Sequence, residues 1–513
     1  MTTAAPLASA AASVSRTGLD RQTGSISTLE WIALAGVLVV AAAARFYRLD
    51  TSLWYDEVQT LLNFVRLPTR ELIQSLKSNN HMFYSLQAQA AIALTSESAW
   101  SLRLPAALFG LASLVAIWAL ARRAAGGVEA LVVAFLLAIS YDHVWFSQSA
   151  RGYTGLLFWT TWATLLFARG LAGSGWGTWT LYAICMTAAS YTHISALFFF
   201  LGHGIIHLAA LALLRARPEY VQRYSALAGA PGWKPVFGFA LGAALTFALY
   251  APLLPQVPSL VHSMTVDPSN GTGALRHHSR TPQEVAVTLS SAGTLAPFIL
   301  GASVIAFVSG AISLARRQPV IAAAYLLHVP LAILILFALN SRIWPRFFLM
   351  DIGFIYLAVV HGTFLLCRNL ARGMGSEGGS VRRARIFTAT AVVVMAVGSL
   401  WLLAPNYAYP KQDFAGAAAY VERERRPGDA VTSLGLARIA FRLYAPHWSA
   451  VDSVAEFEAL RQSGPRTWVV AAFPKYGPPA PFREAIAEDF DVVTRLPGAL
   501  PNGDIVIYRS RPR

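Results

Sequence analysis

The chain has 513 residues, of which 55% are hydrophobic and only 13% charged; a soluble domain carries about 25% charge. It therefore cannot cover a water-facing surface along its whole length, and disorder, collagen and disulfide scaffolds are excluded with it. Lys+Arg number 41 and Asp+Glu 26, a formal charge of +15 that on a soluble protein would suggest nucleic acid. Here the basic residues sit at the ends of apolar runs, as orientation by cytoplasmic Lys and Arg requires, so no nucleic-acid partner is expected.

Residues 1–28 are small and polar, and the hydrophobic run follows late. They read as a cytoplasmic tail, since a signal peptide has a shorter apolar core nearer its start. Apolar runs then appear near 29–47, 102–121, 128–146, 154–170, 176–191, 194–214, 235–253, 292–314, 320–339, 347–367 and 386–404. At roughly 20 residues per crossing these make about eleven membrane helices. Cys185 and Cys367 both fall inside such runs, and no C-x-x-C or Cys/His zinc spacing is present. Arg16, Arg21, Arg122, Arg123, Arg215, Arg217, Arg223, Arg316, Arg317, Arg368, Arg372, Arg382, Arg383 and Arg385 all fall on one side, which is then the cytoplasm.

The loops 48–101, 147–153, 254–291 and 340–346 and the segment from 405 onward consequently face outward, in a bacterium the periplasm or cell exterior. The first of these loops carries apolar residues at helical spacing (Leu61, Leu62, Phe64, Val65, Leu72, Ile73, Leu76) and reads as helices along the membrane surface. Residues 262–282 are rich in Gly, Ser and Pro and read as a mobile lid, with His277 and His278 solvated within it. No internal repeat is evident. From about 410 the composition becomes that of a soluble domain. DFAGAAAYVERERR and PFREAIAEDF read as helices, and DAVTSL, RTWVVAAF, FDVVTRL and DIVIYRS as strands. The expected architecture is thus an all-α polytopic membrane protein with a small C-terminal α/β extracytoplasmic domain. Its parts are a tail at 1–28, a membrane domain at 29–404 containing the outer loop 48–101, and the α/β domain at 405–513, roughly 100 residues and large enough for its own core.

Chemistry concentrates at RFYRLDTSLWYDEV, residues 45–58, at the outer end of the first run. Asp56 and Glu57 are adjacent and so point in different directions on any regular element, which suits one carboxylate facing a cavity and one structural. Both are candidate catalytic residues. Trp54 and Tyr55 are amphipathic rings that hold such a turn at the headgroup level.

The pattern R-x-x-R-L-x-x-x-x-W-x-D-E resembles the GT-C glycosyltransferases, and within them the protein-mannosyltransferase and aminoarabinose-transferase group (glycosyltransferase family thirty-nine and its relatives). Further stretches agree in order. NNHMFYSLQ (79–87) is similar to the family's His-Pro-Pro-x-Tyr stretch without its prolines, and SLRLPAALFGL (101–111) to an Arg-Leu-Pro start of the second span. SQSARGYTGLLF (147–158) is similar to a Ser-x-Glu-Ala-Arg-x-Tyr segment, although Ser149 stands where relatives often have Glu; Asp142 is a nearby carboxylate in its place. YTHISALF (191–198) resembles a Tyr-x-His segment, and RFFLMDIGFIYL (346–357) an Arg-Tyr-x-Leu start of a late span. The likeness covers residues 30–370, about two thirds of the chain.

The resemblance implies inverting transfer of a sugar from a polyprenyl-phosphate donor to a glycan, lipid or protein acceptor on the outer side of a bacterial inner membrane, with membrane lipids as surroundings. Polyprenyl phosphate leaves readily, so one general base suffices, in contrast to glycoside hydrolysis with its two carboxylates. Asp56 matches the family's catalytic aspartate. Arg151, Arg342 and Arg346 are candidates to offset charge on the departing phosphate. His81, Tyr84, Asp142, Tyr153 and His193 complete the candidate substrate-binding set. Some GT-C enzymes use a divalent metal, but the sequence has no carboxylate cluster of the kind hard cations need, so no metal ligand is assigned. Two other classes compete: a lipid or glycolipid flippase without glycosyl transfer, and a scaffold whose α/β domain binds partners.

Overall fold

In hydrocarbon a backbone must satisfy its own polar groups, and a continuous apolar run does so as a helix. The computed structural model describes residues 25–77, 79–217, 225–259, 296–339, 343–374, 377–473, 480–500 and 502–511. The N-terminal tail up to residue 24, the 262–282 segment with His277 and His278, and Arg342 lie outside these. In chain order the helices are α1 (Thr28–Phe46), α2 (Tyr55–Thr60), α3 (Met82–Leu94), α4 (Ala99–Ala125), α5 (Gly127–Ala138), α6 (Tyr141–Ser147), α7 (Tyr153–Leu171) and α8 (Trp176–Thr192). They continue with α9 (Ala196–Ala216), α10 (Trp233–Tyr250), α11 (Ala296–Arg317), α12 (Pro319–Ala338), α13 (Ile352–Gly373) and α14 (Glu377–Leu403).

Among the described residues eight helices are long and apolar enough to cross a membrane, or nine if α5 and α6, bent by 62° at their junction, form one broken span. The chain is a multi-pass membrane protein. The apolar runs at 154–170 and 176–191 are helices too, α7 and α8, but they fall outside that set. α8 has only 17 residues, while α7 carries polar residues and is mostly buried, with Thr160, Thr161 and Thr164 closing hydrogen bonds onto carbonyls four residues back. A helix enclosed by protein need not be compatible with lipid.

The chain divides into two units. One comprises Met1–Ala42, Phe109–Ala138 and Tyr153–Ala396. Its tightest helix pair is α11 with α13, where small residues four apart meet: a Cβ on Gly310 would collide with the carbonyl of Ala358, and one on Gly362 with that of Ala306. Small-xxx-small faces of this kind let two backbones touch in a membrane, where packing has to replace the hydrophobic effect. Near the start of α1, Glu30 pairs with Arg122 at 2.8 Å.

The other unit comprises Ala43–Leu108, Ile139–Gly152 and Val397–Arg513. Its C-terminal part adds α15 (Phe414–Glu424), β1 (Ala430–Leu434), α16 (Ala437–Tyr444), α17 (Val454–Gln462), β2 (Thr467–Ala472), α18 (Ala480–Asp489), β3 (Phe490–Leu496) and β4 (Ile505–Ser510). The sheet order is β1-β2-β4-β3. β1 runs parallel to β2 with Val431 opposite Trp468, while β4 is antiparallel to both β2 and β3, with Val470 opposite Ile507. All of β2 is buried, so both its faces are covered. Trp468, Val470 and Ala472 join Phe414, Val421 and Phe441 of α15 and α16, whereas Val469 joins Phe457, Phe482 and Ile486 of α17 and α18. The first of these cores continues without a break into Leu53, Val58, Leu61, Val65, Tyr84, Leu102 and Ala150. The apolar residues read as surface helices at 61–76 contribute Leu61, Phe64, Val65 and Leu72 to buried positions, while Ile73 is exposed.

Candidate active site

The site forms where α2 begins. Trp54 precedes it: its backbone carbonyl accepts from the Glu57 N–H at 2.9 Å, and the carboxylate of Glu57, the third helical residue, accepts from the Trp54 N–H at 3.1 Å, which fixes the first turn. Glu57 is fully buried. Arg103 of α4 donates to both its oxygens, at 2.8 and 2.6 Å, and the Ala150 N–H donates at 2.6 Å. The same guanidinium donates to the carbonyls of Leu49, Thr51 and Ser52. Burial by itself would raise the Glu57 pKa, but Arg103, with Lys411 and the Ala150 amide, outweighs it and holds the carboxyl below the ordinary carboxylate range. Glu57 therefore ties together the turn 49–54, helix α4 and the loop 147–152.

Asp56, beside it, is almost buried. Its carbonyl accepts from the Thr60 hydroxyl at 2.8 Å, and that hydroxyl in turn accepts from Arg151 at 3.1 Å. Arg151 is buried and also donates to the Asn79 carbonyl at 3.0 Å and to the Asn79 side chain at 2.5 Å. Asn79 donates to Gln59, and Gln59 to the Tyr55 hydroxyl, which closes a network around α2. The Nε of Arg151 is buried with no partner among the described residues. His81, buried at the start of α3, accepts from the Gly152 N–H at 3.2 Å through Nδ1, so it braces the loop that carries Arg151. Tyr84 is buried in the apolar core, donates to the Leu102 carbonyl, and has its pKa pushed well up by burial. Asp142 is exposed in the first turn of α6.

The remaining candidates belong to the other unit. The Tyr153 ring lies 5.8 Å from that of His193, which in turn lies 5.5 Å from Phe347. His193 Nδ1 accepts from the Ser195 backbone at 3.2 Å and meets its hydroxyl at 2.7 Å. Arg346 stands in a tight helical turn, Pro345–Asp351, with its guanidinium 4.8 Å from the centre of the Trp344 ring. Among the described residues no three His, Cys, Asp or Glu side chains come together in a way that could hold a metal ion.

Sequence reasoning missed several buried polar groups. Arg103 was quoted only as part of a motif, although a charge inside an apolar run signals a buried partner. The pairs His361–Glu129 (2.6 Å, with Ser313 on the other ring nitrogen at 3.0 Å) and His328–Asp351 (2.9 Å) carried the same signal. Lys411 carried none. It is buried, with its ammonium on the carbonyls of Trp145 and Gln148 and the hydroxyl of Ser149.

The fold is similar to that of solved polytopic membrane proteins. A family model described as Dolichyl-phosphate-mannose-protein mannosyltransferase matches residues 82–230. The structure of ArnT from Cupriavidus metallidurans in the apo state aligns with a TM-score of 0.52 at 12% identity, covering 94% of this chain and 99% of ArnT. ArnT from the same organism bound to undecaprenyl phosphate aligns with a TM-score of 0.50 at 14% identity, over 95% and 100% of the two chains. No curated protein matches in sequence. In its motifs and in its fold, then, the chain resembles the GT-C membrane glycosyltransferases.

Proposed function

We propose that this chain is a membrane glycosyltransferase that moves a sugar, with inversion, from a polyprenyl-phosphate donor to an acceptor at the outer face of a bacterial inner membrane. The observation that carries this reading is the nearness of Asp56 to the buried Arg151, which donates to the Thr60 hydroxyl that itself donates to the backbone carbonyl of Asp56, while the neighbouring Glu57 carboxylate is consumed in holding the turn. In the proposed reaction Asp56 takes the proton of the acceptor hydroxyl or amine as that atom bonds to the sugar's anomeric carbon. The bond from that carbon to the phosphate oxygen breaks, and the electron pair leaves with the polyprenyl phosphate. Arg151, with an unused buried N–H, offsets the charge that appears there. The ArnT relative bound to undecaprenyl phosphate supports a prenyl-phosphate donor.

The test is transfer in proteoliposomes supplied with a panel of undecaprenyl-phosphate sugars and an envelope-glycan acceptor extract. Asp56→Asn should fold as wild type and lose roughly 10²- to 10⁴-fold in transfer; transfer within a few fold of wild type refutes the base assignment. The buried pairs His361–Glu129 and His328–Asp351 favour a second reading, lipid transport, since ionisable groups inside membrane helices mark pathways. Lipid flipping in the same vesicles without sugar transfer would select it.

A further inference from the structure

The first and last spanning helices end side by side. After α1, Arg48 donates to the Tyr407 carbonyl, the Tyr407 hydroxyl donates to the Ala44 carbonyl at 2.5 Å, and the Tyr47 and Tyr407 rings meet edge-on at 5.4 Å. Between these ends lies a small cavity of about 20 Å³, whose walls include Arg48, Arg103, Gln148, Asn406, Tyr409 and Lys411. None of the residues lining it is acidic.

The charge around it does not balance. Two buried cations, Arg103 and Lys411, share one buried carboxylate, Glu57, and Arg103 already grips both of its oxygens. Among the described residues no carboxylate forms an ion pair with Lys411, whose ammonium instead lies 4.5 Å from the centre of the Trp145 ring and on neutral oxygens. A buried ammonium either meets an anion or gives up its proton, and an anion in this cavity would keep Lys411 charged. Arg48 adds a third positive charge at the mouth. It is exposed and takes a left-handed backbone (φ 56°), a conformation that costs a non-glycine residue about 1 kcal/mol or more and persists where something over-determines it.

We propose that this cavity is a binding site for the phosphate of an anionic phospholipid headgroup, which supplies the missing negative charge between Arg48 and Lys411. The size fits: room for about one oxygen-sized group admits a phosphate oxygen while the glycerol and acyl chains stay outside. The placement fits as well. The site lies at the ends of two membrane helices and is flanked by Tyr47 and Tyr409, 61% and 50% exposed, amphipathic rings of the sort that sit at headgroup depth. Arg48 and Tyr409 supply the donors at the mouth, and Lys411 and Arg103 supply the field behind it. The inference is independent of the transferase reading.

The test is native mass spectrometry of the full chain titrated with phosphatidylglycerol or phosphatidylcholine, together with thermal unfolding in nanodiscs of either lipid. The wild type should retain phosphatidylglycerol in preference to phosphatidylcholine and unfold at higher temperature in its presence. Arg48→Gln, an exposed change that leaves the core intact, should weaken phosphatidylglycerol retention by about tenfold, and Tyr409→Phe by less. Equal retention of the two lipids by the wild type, or an unchanged preference in Arg48→Gln, overturns the site. If millimolar inorganic phosphate stabilises the protein in phosphatidylcholine nanodiscs as well as phosphatidylglycerol does, the anion is a free one and the lipid assignment is overturned.

Discussion

Replacing Glu57 with Gln keeps the side chain's shape and removes its charge. The carboxylate accepts four hydrogen bonds, two from Arg103 and one each from the backbone of Ala150 and Trp54. The amide that replaces one oxygen would face donors with a donor, and the Arg103 charge would remain buried without its partner. Breaking a buried pair in this way costs about 3–5 kcal/mol. At about 2.1 cal/mol/K per residue over 513 residues, the apparent Tm in nanodiscs should fall by about 3–5 °C. The pair of changes Glu57→Leu with Arg103→Met should recover little of that loss, because it leaves the Ala150 and Trp54 N–H groups and the Leu49, Thr51 and Ser52 carbonyls without these partners and takes the nearby carboxylate from Lys411. The pH dependence has a definite sign. The folded-state pKa of Glu57 lies below its unfolded value, so its stabilisation is fully present above the unfolded carboxylate pKa and is lost as pH falls through the folded one. Glu57→Gln should flatten that acid limb. An apparent Tm within about 1 °C of wild type, or a double variant as stable as wild type, would refute this account of the turn.

Three further outcomes follow from the packing. Gly362→Leu puts a side chain where α13 meets the α11 backbone and should abolish folded, monodisperse protein, while the same change at Gly301, which has open space around it, should be tolerated; size-exclusion profiles in detergent decide between them. Lys411 has its pKa pulled down to about 7 by burial, with Glu57 pulling up and Arg103 down. Between that value and the ordinary one near 10.5 the unfolded chain binds the extra proton, so stability should rise with pH across this interval, and Lys411→Met should remove the slope in thermal scans. Deleting residues 410–513 strips Phe414, Phe441 and Trp468 from Leu53, Val58 and Leu61, and removes the Tyr444 hydroxyl and Gln412 side chain that receive the Leu53 and Tyr55 backbone N–H groups. Segment 48–108 should become susceptible to limited proteolysis and transfer should vanish; a truncated chain with a protected segment and wild-type transfer would contradict the shared core.

What could be read from the residues and what could not divides along one physical line. Periodicity and length report what a segment needs from its surroundings. They marked α1, the four strands and the helices α15 and α18, because each of those needs is local. The short helices α16 and α17 escaped notice: eight or nine residues between turns leave little pattern to read, although ARIAFRLY places Ala437, Ala440 and Phe441 on one buried face. Adjacent carboxylates had to diverge on α2, so different surroundings for Asp56 and Glu57 were legible. That Glu57 would be the one consumed was not, since its partners lie 46 and 93 residues away along the chain. A charge within an apolar run, as at Arg103, Glu129, His328 and His361, announces that some partner exists and stays silent about which. Lys411 is the limiting case. It stands in a polar stretch where a lysine needs no explanation, and only the closure of the fold over residues 145–149 buries it on neutral oxygens, with no carboxylate in an ion pair with it among the described residues. Local need is written in the sequence, but the identity of the group that meets it is set by topology, which is why the part of the site least visible beforehand is also where a buried lysine rests on neutral oxygens.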